Sequence, residues 1–136
     1  MNQAVIILFG TLFSYTDLKR HVIPNRFLAL MLLVILFKII FTHELQQHLV
    51  FGLSAISALT IFQWISAGVV GMGDIKYLAL LSLLIGSFTV FVKGLEYSFF
   101  AVSIMALVTF IHTSSIKASI PLAPPISLGF LLALII

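Results

Sequence analysis

Four acidic side chains interrupt an otherwise apolar chain: Asp17, Glu44, Asp74 and Glu96. The two aspartates are the only ones present. Two carboxyls at similar depth can share one proton, so that one serves as base and the other as acid. The structural alternative is that each aspartate merely caps a helix near the headgroups, where its charge costs little. An ionisable group at membrane depth is otherwise costly and points to function. There is no cysteine, which removes disulfides, thiolate nucleophiles and cysteine-rich zinc sites. No metal site and no organic cofactor are expected.

The neighbours of the two aspartates are distinctive. Asp17 opens the stretch DLKRHVIPN, residues 17–25, in which Pro24 suits the first turn of a helix and Asn25 could cap it or hold a substrate backbone. Asp74 closes GMGD, residues 71–74, and runs on into DIKYLALL. Gly71 and Gly73 would permit backbone angles and close approaches that other residues forbid. Lys76 lies two positions beyond Asp74, so on a regular helix the two side chains do not face each other, and an interfacial anchor is favoured over a catalytic cation. His21 reads more simply as a solvated loop histidine than as a proton relay. Pro121, Pro124 and Pro125 are expected to kink or delay a last helix.

The elements that position these residues must be membrane helices. Hydrophobic residues make up 62% of the 136 and charged residues 8%, with a mean hydropathy of +1.27. Soluble domains are roughly half apolar and a quarter charged, so the bilayer is the natural solvent for this chain. Apolar segments run near 3–17, 24–42, 49–70, 75–92, 95–112 and 120–136. They predict an all-α polytopic membrane protein of about six transmembrane helices, one domain over residues 1–136. The first segment has no basic residue before it and Lys19 and Arg20 after it, the reverse of a secretory signal.

Loop charges orient the chain. Lys19, Arg20, Arg26, Lys76 and Lys117 fall in odd-numbered loops, against Lys38 and Lys93 on the other side. That split puts the odd-numbered loops in the cytoplasm and both termini outside. Asp17 and Asp74 then share the cytoplasmic face, and Glu44 and Glu96 fall in loops on the opposite face. Lys38 is expected to snorkel to an interface. The net charge of +3 reads as orientation; no basic patch with interleaved aromatics suggests nucleic acid.

Together these motifs resemble the type IV prepilin peptidase family. That family has an aspartate followed by a basic stretch and IPN, matched by Asp17, Ile23, Pro24 and Asn25. It has GxGDxK, matched by Gly71, Gly73, Asp74 and Lys76. Near its C-terminal end it has a segment like IPxAPxxxxG, matched by Ile120, Pro121, Ala123, Pro124 and Gly129. Presenilin-type proteases share GxGD but lack the IPN segment. The resemblance implies an aspartyl endopeptidase of the cytoplasmic (inner) membrane that removes short, basic leaders from prepilins or pseudopilins at the cytoplasmic face. It implies Asp17 and Asp74 as catalytic residues, with Pro24, Asn25, Gly71, Gly73 and Lys76 as supporting or substrate-binding positions. Besides those precursors, the expected partners are membrane lipids. The long bifunctional members carry a cysteine-bearing N-terminal zinc region and also methylate the new N-terminus. This chain begins at its first peptidase helix and has no cysteine, so the expectation is cleavage without methylation, as in the short members. The rival class is a proton-conducting, transport or assembly subunit that uses the same two aspartates.

Overall fold

The computed structural model describes residues 2–42, 45–65, 71–113 and 120–136. Glu44 and Lys117, used above for charge placement, lie outside the described residues. Six helices follow in order: α1 (Asn2–Arg20), α2 (Asn25–Thr42), α3 (Leu45–Ile65), α4 (Met72–Ile85), α5 (Phe88–Thr113) and α6 (Ala123–Ile135). Among the described residues there is no strand. The all-α class is as expected from the apolar runs.

Three helices are long and apolar enough to cross a membrane by themselves: Asn25–Thr42, Leu45–Ile65 and Phe88–His112. The 14 residues of α4 extend only about 21 Å at 1.5 Å per residue, short of a ~30 Å hydrocarbon core. The expected fourth segment, 75–92, is cut at Gly86, whose positive φ of 65° ends α4. Phe88 to Val92 therefore belong to α5. Glu96, expected in a loop, is an exposed residue well inside α5.

Packing divides the helices into two groups. In one, α6 lies between α1 and α5; in the other, α4 lies between α2 and α3. Val5, Ile6, Phe9 and Phe13 of α1 recur at helical spacing and turn one face into the core. Met31, Ile35 and Ile39 do the same for α2, and Leu81 and Leu84 for α4; each of these five is fully buried. Outward faces remain apolar, with Leu33, Phe37, Phe41, Phe99 and Ile111 exposed. Such a surface suits lipid and would be untenable in water.

The C-terminal end of α4 is closed by polar side chains from α2 and α3. The ring of His48 meets the Leu83 carbonyl at 2.8 Å, Lys38 Nζ donates to the Leu84 carbonyl at 3.2 Å, and Gln47 Nε2 to that of Gly86 at 3.4 Å. These carbonyls have no partner within the helix, and a cation near them also meets the negative end of the helix dipole. Lys38 therefore does not snorkel outward: it is 8% exposed and works as a helix cap.

Candidate active site

The site is assembled where the two helix groups meet. Asp17 sits in the last turn of α1 and is buried. The helix ends at His21, whose N–H bonds the Asp17 carbonyl at 2.8 Å. His21 has a φ of 51°, a left-handed geometry that terminates helices and that histidine enters more readily than most residues. The chain then turns through Val22 and Ile23 to Pro24. The Pro24 carbonyl accepts the N–H groups of Phe27 and Leu28, so Pro24 stands just ahead of α2 and Asn25 opens it.

Asp74 is the third residue of α4, ahead of the apolar run. Gly71 precedes the helix with φ −60° and ψ 137°, angles open to any residue. The expected need for glycine backbone freedom is thus absent there. At Gly73 the requirement is proximity. A Cβ added there would stand 3.2 Å from Ile23 Cβ and 3.6 Å from its backbone nitrogen. The bare glycine lets the first turn of α4 press against the segment that follows Asp17. Lys76 secures the same approach, its Nζ donating to Asn25 Oδ1 at 3.0 Å.

Asp17, His21, Asn25, Gly71, Gly73, Asp74 and Lys76 line one cavity of about 340 Å³, with Val22, Ile23 and Met72. Of the expected catalytic and supporting positions, Asp17, Pro24, Asn25, Gly71, Gly73, Asp74 and Lys76, Pro24 alone stays out of the lining, and the C-terminal motif, Ile120 to Gly129, contributes nothing to it. The larger cavities, about 500 Å³ and 470 Å³, are almost wholly apolar and contain neither aspartate. Ranking by size would miss the polar cleft; its titratable groups mark it.

The carboxyls sit in different surroundings. Asp17 Oδ2 accepts the backbone N–H of Ala123, the first residue of α6, at 2.9 Å. Asp74 Oδ1 is buried with no hydrogen-bond partner among the described residues. Asp74 lies outside the three crossing helices. Burial, then the negative charge of Asp17, push its carboxyl up to about 6. A carboxyl that resists ionisation beside a second carboxyl is the arrangement in which one proton is shared. Such a pair can polarise a carbonyl and activate a water. Among the described residues no group of three or more His, Cys, Asp or Glu gathers to hold a metal.

In the sequence Ala123 stands only as a motif match, and Tyr77 and Ser127 do not stand out at all. Ala123 reaches Asp17 through its backbone, and no side-chain pattern announces a backbone donor. Tyr77 and Ser127 share a hydrogen bond at 2.9 Å, although 50 positions separate them.

Fold and site together define a polytopic α-helical membrane protein with an aspartate pair in a polar cleft. The family model that matches is that of the type IV leader peptidase family, over residues 4–115. The match covers most of the chain and both aspartate motifs, and the chain belongs to that family. It ends before α6, so the role of that helix rests on the structure. Comparison with curated proteins and with solved structures gave no match.

Proposed function

We propose that this protein is a membrane aspartyl endopeptidase that removes the basic leader from type IV prepilin or pseudopilin precursors. Cleavage takes place at the cytoplasmic face of the inner membrane and is not followed by N-methylation. The observation that carries this reading is the cleft in which Asp17 and Asp74 meet, inside a chain of the leader peptidase family. One carboxylate takes a proton from water as the water attacks the scissile carbonyl. The other carboxyl, protonated, donates a hydrogen bond to that carbonyl and afterwards helps protonate the leaving amine. The small size of the cleft suits an extended backbone, and Asn25, its Oδ1 engaged by Lys76, has an amide nitrogen that donates to none of the described residues and can serve a substrate. None of the 136 residues is a cysteine, so none of them can supply the thiolates that hold zinc in the bifunctional members, which supports cleavage without methylation by this domain.

Co-expression with a type IV prepilin tests this reading. A shortened pilin with a free α-amino group is expected by mass spectrometry. A pilin left at precursor length overturns the peptidase, and a methyl increment that depends on this chain overturns the second half of the proposal. Orientation is tested separately. The five-to-two split of basic residues places Gln46 outside, so Gln46→Cys should react with an impermeant thiol reagent in intact cells. Protection of that cysteine, with exposure after lysis, would invert the topology.

A further inference from the structure

The backbones of α1 and α4, which carry the two aspartates, do not pack closely against each other. Besides the side-chain contact of Phe13 with Tyr77, the geometry of the pair is set through other elements. One bridge is the turn after Asp17, held by Gly73 on Ile23 and by Lys76 on Asn25. A second bridge runs through α6.

Its construction follows from three residues. Pro124 and Pro125 occupy the first turn of α6 and have no N–H to offer. The Ile126 N–H is taken by the Leu122 carbonyl at 3.1 Å. The first turn is thereby reduced to a single unused donor, Ala123, and that donor is spent on Asp17 Oδ2. Of the two expectations for these prolines, a kink or a delayed helix, the delay is what is found: α6 starts at Ala123, and its prolines strip that end to one directed N–H. The Ala123 carbonyl in turn accepts the Ser127 hydroxyl at 2.7 Å. Serine has one proton, so in the 2.9 Å contact between Ser127 Oγ and Tyr77 Oη the tyrosine is the donor. Tyr77 is on α4, three residues beyond Asp74. It is wholly buried, its ring edge-on to Phe13 of α1 with centroids 4.9 Å apart. The chain thus runs from Tyr77 to Ser127 to the Ala123 carbonyl, and the Ala123 amide closes it on Asp17. Each hydroxyl donates once, and the Tyr77 and Ser127 bonds reinforce each other; the Ala123 carbonyl and N–H belong to neighbouring peptide units, so the link on to Asp17 is positional, through the Ala123 backbone.

We propose that the first turn of α6, clamped to α4 by Tyr77 and Ser127, fixes the Asp17 carboxylate in register with Asp74. Tyr77 and Ser127 are positioning residues, and the Ala123 amide is the group that touches the catalytic carboxylate. The proposal rests on the reading of Asp17 and Asp74 as the catalytic pair. The other titratable groups sharing the cleft with Asp17 are His21, Asp74 and Lys76; α6 contributes none.

Tyr77→Phe and Ser127→Ala each remove one oxygen and leave the packed framework. Both variants are to be compared with the parent chain for helicity and melting in detergent, and for cleavage of a purified type IV prepilin. The expected result is about a tenfold fall in kcat with KM nearly unchanged, the size of effect of one misplaced hydrogen bond. Because both remove the same link, the double variant should be no worse than the poorer single one. A second readout needs no substrate. With only two aspartates in the chain, aspartate-specific ¹³C labelling of the side-chain carboxyl gives two NMR signals, and Asp74→Asn leaves the Asp17 signal alone. Tyr77→Phe and Ser127→Ala should each move that signal in folded protein. A merely structural role lowers the folded fraction and leaves the signal in place. An unmoved Asp17 signal in both variants, or undiminished kcat, overturns the clamp. Failure of the parent chain to cleave any prepilin refutes the proposed function instead, and the NMR readout still decides the contact.

Discussion

Asp17→Asn and Asp74→Asn should each abolish leader cleavage, by several orders of magnitude, while the protein still accumulates in the membrane. Asparagine keeps the shape of the carboxylate and at Asp17 can still accept the Ala123 N–H, so packing is preserved. What is lost is the shared proton, which an amide cannot carry. Residues that act as a unit are strongly non-additive, and the double variant should be no worse than either single one. Glu96→Gln, on the exposed flank of α5 away from the cleft, should keep most activity. The stability of Asp74→Asn separates a catalytic from a structural loss. Because the folded state raises this carboxyl to about 6, ionised Asp74 destabilises the protein. Its favourable contribution is complete below the ordinary carboxyl value of about 4 and is lost as pH rises through about 6. For a wholly buried group such an elevation would be worth roughly 3 kcal/mol; solvent screening of this part-exposed carboxyl leaves about 1 kcal/mol. Asp74→Asn should therefore melt higher than the parent at pH 8 and at the same temperature near pH 4. Inactive protein that is more stable than the parent fits catalysis. Near-normal cleavage in stable protein of either single variant would sink the aspartyl mechanism.

What local physics dictates is legible in the residues themselves. Membrane helices announce themselves through unbroken apolar runs, and α2 was placed to within a residue because Pro24 and Asn25 mark its start. Charged and glycine-rich positions stand out against such a background, which is why the lining of the cleft could be listed almost residue by residue. The misplacements occur where apolar runs continue across a break. Gly86 and Ser87 are too short an interruption to register against Leu83–Ile85 on one side and Phe88–Val92 on the other, so α5 was begun seven residues late and Glu96 was assigned to a loop. Tertiary contacts account for the remainder. Lys38 was read from its length and charge as a snorkelling residue, whereas the carbonyl it caps belongs to α4, 46 positions away. Gly73 was read as a source of backbone freedom, whereas what it supplies is clearance for Ile23. The prolines of α6 announce a kink or a delayed start, and the start is delayed to Ala123, but their effect on the donors of the first turn becomes visible only with Asp17 placed opposite them.

Gly129→Ala should be the most damaging substitution outside the cleft, and it concerns the same helix. Gly129 lies two residues beyond Ser127 on the face that α6 turns toward α5, in the most extensive of the helix packings. A Cβ there would come within 2.6 Å of the Ser98 Cα and would also collide with the Ser98 backbone nitrogen and hydroxyl. Backbone cannot rotate aside as a side chain can, so α5 and α6 must separate. Overpacking of this kind costs typically 1–3 kcal/mol, and a clash with backbone belongs at the upper end. Separation would also break the bond from Ser98 Oγ to the Ile126 carbonyl, 3.3 Å in the native packing, and disturb the turn that presents Ala123 to Asp17. The expected result is a lower melting temperature together with a large loss of cleavage. Ser98→Ala should behave differently: it removes the hydroxyl but not the backbone, and by itself should be mild. Combined with Gly129→Ala it should rescue little, because the backbone clash persists. Thermal unfolding of the three variants in detergent decides the point, and a Gly129→Ala protein as stable as the parent would show that the two helices have slack that the structure does not contain.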